Sequence, residues 1–280
     1  MTIIASDFWM RPPLNPALCL ILDPLICGGH KEALKVAQAA INGGVSMLQL
    51  RSKQMNKGPL LRLAQDLLPI TRRHRVPLLM NDHCDLAIAS DADGVHVGQT
   101  DLPPTVARQL VGDGAILGLS ITSIEQVSQT NELGCIDYVG VGPVFPTQTK
   151  RDADPTIGLD GLNEICRRIK YPTIAIGGIS IDNAADVMAQ GVDGIAVISA
   201  ICSLNNAEQI ELTASRLRSA VDSNIKPRYE KETIGGRTYC KLRGERISYW
   251  RDVPLRTDRG NYNMVVEIPK DTIARNEVGL

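Results

Sequence analysis

No apolar run in this 280-residue chain approaches the ~18 residues needed to cross a bilayer, and residues 1–16 contain no apolar signal-peptide core. A membrane anchor and a secretory route are therefore not expected. The seven cysteines, at 19, 27, 84, 135, 166, 202 and 240, form no C-x-x-C pair and are odd in number. Neither a zinc knuckle nor a disulfide framework is suggested, and a reducing cytoplasm is the expected compartment. An excess of one charge is also missing: 30 Lys and Arg face 31 Asp and Glu, for a net charge of −1. Nothing electrostatic points to nucleic acid or a membrane surface as a partner. A G-x-G-x-x-G following an early strand, which a dinucleotide-binding open sheet would want, is absent as well.

Aromatic residues are scarce, at 4%, and unevenly placed. Five of the ten (Tyr229, Tyr239, Tyr249, Trp250 and Tyr262) lie near the C-terminus. From Val221 onward twelve Lys and Arg face nine Asp and Glu, so this tail is near +3 and the rest near −4. Such a shift marks a boundary, with a body at 1–221 and an extension at 222–280.

The body alternates short Val/Ile/Leu runs with longer helical stretches, the pattern of parallel βα units. Eight runs are expected as strands: 18–22, 46–51, 77–81, 94–98, 115–120, 136–140, 173–177 and 194–199. Helical period is plain at Leu60, Leu61, Ala64, Leu67 and Leu68, and Gly43 or Gly191 can supply left-handed C-caps. A glycine or an acidic-glycine step precedes each even-numbered strand, a weak internal echo. Eight such units in about 220 residues predict an α/β fold of the small (β/α)8 TIM-barrel type, followed by a short strand-rich or partly disordered extension. A doubly wound open sheet is the structural alternative.

In such a barrel chemistry sits at the C-terminal strand ends. There the chain places Asp82 and Asp101 after neighbouring strands. Alone, such a pair serves as turn or helix cap as readily as metal ligand. Magnesium, however, is commonly held by one or two carboxylates plus substrate phosphates. Strand alternation sends Gln49, Arg51 and Lys53 to one face, with Leu50 toward the helices. The loop Gly140 to Lys150 is rich in Gly and Pro and ends in Thr147, Thr149 and Lys150. Gly177, Gly178 and Ser199, after strands seven and eight, suit a monophosphate, and Asp182 is placed to cap the next helix. Two anion sites on one rim suggest joining two phosphorylated small molecules with loss of diphosphate. His96, inside the fourth strand, reads as an interior side chain and not a catalyst.

The segments QLRSK, MNDHCDLA, ADGVHVGQTDLP, VGVGPVFPTQTK, IAIGGI and AVISAI, collinear from about Leu18 to Ile201, resemble thiamine-phosphate synthase. The resemblance implies Mg²⁺-dependent coupling of an aminopyrimidine methyl diphosphate with a thiazole phosphate. It assigns Mg²⁺ to Asp82 and Asp101, and the diphosphate to Arg51, Lys53, Asn81 and Lys150. Gln49 and Ser120 would meet the pyrimidine, Thr147 and Thr149 the thiazole, and Gly178, Ile198 and Ser199 the thiazole phosphate. Catalysis would fall to Arg51, Lys53 and Lys150, with no protein nucleophile. Two positions depart from the family pattern: Ser52 where Glu is more frequent, and Thr122 where His is frequent. A thiazole tautomerase of the same barrel family and a non-catalytic thiamine-phosphate binder are the alternatives. Small-molecule substrates are the expected partners, and self-association is left open.

The tail segments ISYWRDVPLRTD and NMVVEIPKDTIARNE resemble the start of a eukaryotic-type soluble inorganic pyrophosphatase. Glu267, Arg275 and Glu277 fall where that family has a glutamate, a lysine and a glutamate of its active site. The metal-binding aspartates would come later than Leu280, so no pyrophosphatase activity is expected of these residues.

Overall fold

The computed structural model describes residues 11–147 and 155–224, together with the backbone of four strands between 229 and 267. Two compact units divide the chain, Met1–Lys226 and Pro227–Leu280. The first runs β1 (Leu18–Leu22), α1 (His30–Asn42), β2 (Met47–Leu50), α2 (Lys57–His74), β3 (Leu78–Asn81), α3 (Cys84–Ser90), β4 (Gly94–Val97) and α4 (Pro104–Val111). It continues β5 (Ile116–Ile121), α5 (Gln126–Asn131), β6 (Tyr138–Val141), α6 (Gly158–Arg168), β7 (Thr173–Ile176), α7 (Ala184–Ala189), β8 (Gly194–Val197), α8 (Ser199–Cys202) and α9 (Ala207–Asn224). Each strand pairs in parallel with the next, and β8 pairs back to β1. The expected barrel is the fold, and every expected strand lies within two residues of an observed one.

Alternation explains why these strands read as unbroken apolar runs: both faces are covered. Leu18, Leu20 and Leu22 face the helices, as do Leu48 and Leu50, and Leu78 and Met80. Cys19, Ile21, Met47, Leu79, Ile116, Tyr138, Ile174 and Ala196 fill the interior. On α2 the buried stripe is Leu60, Leu63, Ala64, Leu67, Leu68 and Thr71, with Leu61 only partly buried.

The echo before the even strands has a physical basis. Each of these strands is entered through a short polar residue that clamps the preceding odd strand. Ser46 Oγ accepts the Leu18 amide at 2.9 Å, Asp93 Oδ2 that of Leu78 at 2.8 Å, and Asp137 and Asp193 Oδ2 those of Leu117 and Thr173 at 2.7 Å. The amides of Ser46, Asp93, Asp137 and Asp193 donate back to the carbonyls of the same four residues. Four copies of one two-point clamp thus set the register at the bottom of the barrel.

Helix ends depart from expectation at two places. Gly43 has an ordinary helical φ of −75°, and Gly44 takes the positive φ of 104°. Gly43 is needed for close approach: a Cβ there would lie 2.3 Å from the Glu211 carbonyl oxygen on α9. Gly191 does adopt positive φ, at 95°. Asp182 does not cap α7. Asn183 holds that turn, accepting the Ser180 amide at 2.9 Å and donating to the Gly178 carbonyl at 2.9 Å.

The second unit contains β9 (Tyr229–Ile234), β10 (Arg237–Leu242), β11 (Tyr249–Thr257) and β12 (Gly260–Glu267) in an antiparallel sheet ordered β12-β11-β10-β9. Arg275 and Glu277 lie outside the described residues, as does the Glu267 side chain.

The clamp makes a stability prediction. Asp93 is 2% exposed, and burial pushes its carboxyl above the usual range. Its value to the fold is therefore as an acceptor more than as a charge. Asp93→Ala, which leaves the Leu78 amide unpaired, should cost about 2 kcal/mol in urea unfolding. Asp93→Asn, which keeps an acceptor, should cost less than about half of that.

Candidate active site

The C-terminal strand ends open into a cavity of about 680 Å³. Eleven of the thirteen expected site residues line it: Gln49, Arg51, Lys53, Asn81, Asp82, Asp101, Ser120, Thr147, Gly178, Ile198 and Ser199. Thr149 and Lys150 lie outside the described residues.

One side of the rim is ionic. Asp82 follows β3 with φ 62°, a left-handed conformation uncommon outside glycine. Its amide donates to the His96 carbonyl at 2.8 Å, which ties it to β4. Asp101, in the loop after β4, is anchored by the Gly98 amide at 2.8 Å. Burial first, then the neighbouring Asp82 carboxyl, pushes Asp101 above the usual carboxylate range. Lys53 Nζ lies 2.7 Å from Asp82 Oδ2. Arg51 is mostly buried, 3.9 Å from the equally buried Asp23, and its amide extends the β1–β2 ladder to the Leu22 carbonyl at 3.0 Å.

The opposite side is built from backbone. The loop after β6 zips onto the loop after β7, with Val144 and Phe145 amides donating to Ile176 and Gly177 carbonyls at 2.9 and 3.0 Å. Gly177 and Gly178 have φ of 105° and 64°. A Cβ on Gly178 would lie 2.7 Å from that of Phe145, so glycine is needed for the loops to meet. Beside them Ser199 opens α8, where no side chain caps the helix and the first amides have no intrahelical acceptor.

The cavity floor is a polar row inside an apolar barrel. His96 Nδ1 lies 2.8 Å from Tyr138 Oη, and Nε2 lies 2.9 Å from Ser120 Oγ. Gly118 gives them room: a Cβ there would sit 2.3 Å from Tyr138 Cζ and 2.4 Å from His96 Nδ1. Burial holds the His96 pKa down to about 4, so the imidazole is neutral near pH 7.

Comparison with known proteins identifies the family. The family model for thiamine monophosphate synthase matches residues 18–201. The thiamine-phosphate synthase of Laribacter hongkongensis is 44% identical over 194 residues, 69% of this chain and 91% of its own length. That of Chloroflexus aurantiacus is 46% identical over 186 residues, 66% and 84% of the two chains. A solved thiamine phosphate pyrophosphorylase from Pyrococcus furiosus superposes with a TM-score of 0.67 at 33% identity, covering 76% of this chain and 98% of that one. The chain belongs to the thiamine-phosphate synthase family. Its function in thiamine biosynthesis, as a transferase, stands on these relatives. The family match ends at Ile201, and the pyrophosphatase likeness of the tail gains no support from it.

Several lining residues escaped the sequence reading. Tyr138 fills the floor, Gln99 donates to the Ser120 carbonyl at 2.7 Å, and Gln126 Oε1 accepts the Thr122 amide at 2.8 Å. Asp23 lies just beyond β1, and its pairing with Arg51 depends on strands 28 residues apart in the chain being neighbours in space. The two departures from the family pattern have local partners: Ser52 Oγ accepts the Met55 amide at 3.2 Å, and Thr122 is held by Gln126.

Because Asp101 has a raised pKa, the folded state binds more protons than the unfolded chain between the ordinary and raised values. Its contribution to stability therefore falls as pH rises through the carboxylate range. Asp101→Asn keeps the acceptor for Gly98 and removes the repulsion. Without added metal this variant should melt at the same temperature or about 2 °C higher at pH 7, by calorimetry.

Proposed function

We propose that the barrel couples 4-amino-2-methyl-5-pyrimidinylmethyl diphosphate with a thiazole phosphate, releasing thiamine phosphate and diphosphate. The observation carrying this reading is the ionic cluster Arg51, Lys53, Asp82 and Asp101 on the same cavity as the Gly177–Gly178 loop and Ser199. One half suits a leaving diphosphate and the other an anchored monophosphate.

The carbon–oxygen bond to the diphosphate breaks with its electron pair leaving on oxygen, and the thiazole nitrogen lone pair forms the new carbon–nitrogen bond. No side chain need form a covalent bond or carry a proton. Arg51, Lys53 and Asn81 take up the charge that develops on the departing group, which is where electrostatic stabilisation gains most. Gln49 and Ser120 hold the pyrimidine; Thr147, Gly178, Ile198 and Ser199 hold the thiazole phosphate. Thr149 and Lys150 join these groups on sequence resemblance alone.

The donor set suits Mg²⁺: two carboxylates, Asp82 and Asp101, lining one cavity with room for phosphate oxygens. Bound there, Mg²⁺ would neutralise part of the diphosphate charge. Both carboxylates must be ionised to hold it, so its affinity should weaken as pH falls.

A tautomerase would need an acid–base group. Against that reading, the cavity carries the ionic cluster Arg51, Lys53, Asp82 and Asp101, for which a tautomerase has no use. A pure binder would have no use for a metal and diphosphate clamp. Among the described residues no helix is long and apolar enough to cross a membrane, and we place the protein in the cytoplasm acting on small molecules. The domain assignment we propose is a synthase barrel at 1–221 and a pyrophosphatase-like extension at 222–280.

Purified full-length protein supplied with Mg²⁺ and both substrates should form thiamine phosphate and intact diphosphate one for one. Asp82→Ala combined with Asp101→Ala, or EDTA, should abolish turnover, and Arg51→Gln should lower kcat by about 100-fold. No product from the wild type, or full activity in the double variant, would sink the proposal. Diphosphate appearing as orthophosphate would contradict the inert tail.

A further inference from the structure

Between β7 and α7 the chain turns along the cavity wall, and the peptide groups of that turn are fixed by their neighbours. The Gly177 carbonyl accepts the Phe145 amide at 3.0 Å, and the Gly178 carbonyl accepts Asn183 Nδ2 at 2.9 Å. Neither donor lines the cavity, whereas Gly177, Gly178 and Ile179 do. Two successive carbonyls are therefore turned away from it. A trans peptide points its C=O and the following N–H in opposite directions, so the amides of Gly178 and Ile179 are turned to the cavity side.

These two amides have no acceptor among the described residues. Ile179 is 6% exposed, and a buried amide calls for a partner that the protein does not supply here. The next amide, that of Ser180, is already taken: Asn183 Oδ1 accepts it at 2.9 Å. One side chain thus acts twice in a single turn. Its nitrogen aims the last free donor, and its oxygen ends the run after it. Asn183 stands at the start of α7, yet its side chain caps none of that helix's first amides. It is committed to the loop.

We propose that Asn183 is a positioning residue for the monophosphate end of the cavity, holding the Gly178–Ile179 peptide so that two adjacent amides converge on one anion. This rests on the reading of Gly178 and Ser199 as phosphate contacts. Left-handed φ at Gly178, 64°, suits the concave run of amides that cradles an anion. Amide–phosphate bonds are charge-assisted and depend on aim. Without Nδ2 the Gly178 carbonyl loses its partner, and the peptide is free to turn a negative end toward the phosphate. Asn183 lies outside the cavity lining and acts only through this peptide. Its effect is therefore on the phosphate and not on the ring that carries it.

The test measures the affinity of the full chain for a thiazole phosphate and for the corresponding unphosphorylated alcohol, the weaker ligand by competition. Pyrimidine substrate is left out, so no transfer takes place. Asn183→Leu, which removes both bonds at nearly constant volume, should reduce the preference for the phosphorylated form at least about tenfold, the loss of one charge-assisted hydrogen bond. Affinity for the alcohol and, with Mg²⁺, for the aminopyrimidine methyl diphosphate should stay within about twofold. Asn183→Asp keeps the acceptor for Ser180 and lacks the donor to Gly178. It should lose the same preference, and the loss relative to wild type should persist at about 0.5 M salt, where a plain charge effect is screened. General loosening would weaken both thiazole ligands alike, so an unchanged phosphate-to-alcohol ratio in both variants overturns the inference. A loss confined to Asn183→Asp that vanishes in salt overturns it too. If Asn183→Leu does not fold, Asn183→Asp in salt decides alone. Because binding needs no turnover, failure of the synthase reading would show separately, as absent thiamine phosphate with this pattern of affinities intact.

Discussion

The ionic side of the rim is organised by two carboxyl groups, Asp82 and Asp101, held close to one another in a partly buried place. Asp82 and Asp101 come from the ends of β3 and β4, whose register pairs Asn81 with His96 and so brings the residue after β3 alongside β4. Backbone bonds then do the holding: the Asp82 amide to the His96 carbonyl, and the Gly98 amide to the Asp101 carboxylate. Left-handed φ at Asp82 is a second cost in the same place. Costs of this kind persist only where the surrounding structure over-determines them. Here the surrounding structure is the closed parallel barrel itself, fixed at its opposite end by four repeated side-chain clamps.

That rigidity also explains why the floor can be polar. A neutral histidine, a tyrosine, a glutamine and a serine occupy the interior because Gly118 and Gly140 withdraw their side chains from the same layer. Elsewhere the interior is filled by Cys19, Ile21, Met47, Leu79, Ile116, Ile174 and Ala196. The cavity therefore changes from apolar packing to a directed row of hydrogen bonds within one strand layer.

The strands and the rim were legible in the sequence because both rest on short-range rules. Period-two alternation sent Gln49, Arg51 and Lys53 to one face, and strand-end position brought forward Asp82, Asp101, Gly178 and Ser199. What stayed hidden depended on contacts between distant segments. Asp23 is an unremarkable residue after a strand until β1 and β2 pair. Tyr138 reads as one more apolar position until Gly118 vacates the space beside it. Gly43 looked like a left-handed cap, yet it is glycine because α9, about 170 residues later in the chain, crosses it. Asp182 had the right residue type for an N-cap, but Asn183 holds the turn, since helix ends shift by a residue without violating any local rule.

For the diphosphate site proposed above, the charge count gives a reason for a carboxylate pair to stand beside it. Counting Asp23, which lies beside Arg51 outside the cavity lining, Asp23, Asp82 and Asp101 face Arg51 and Lys53, an excess of one negative charge when all are ionised. Adding Lys150, placed there by sequence resemblance, brings the sum only to zero. Ser52, neutral and occupied with the Met55 amide, leaves that count unchanged. A rim so balanced has no net attraction for a polyanion, and in a partly desolvated cleft an uncompensated diphosphate would be costly. A divalent cation held by Asp82 and Asp101 would reverse the sign of the rim. On the proposed reading the cation and the diphosphate would each be poorly held without the other, which would couple capture of the leaving group to the presence of the ion.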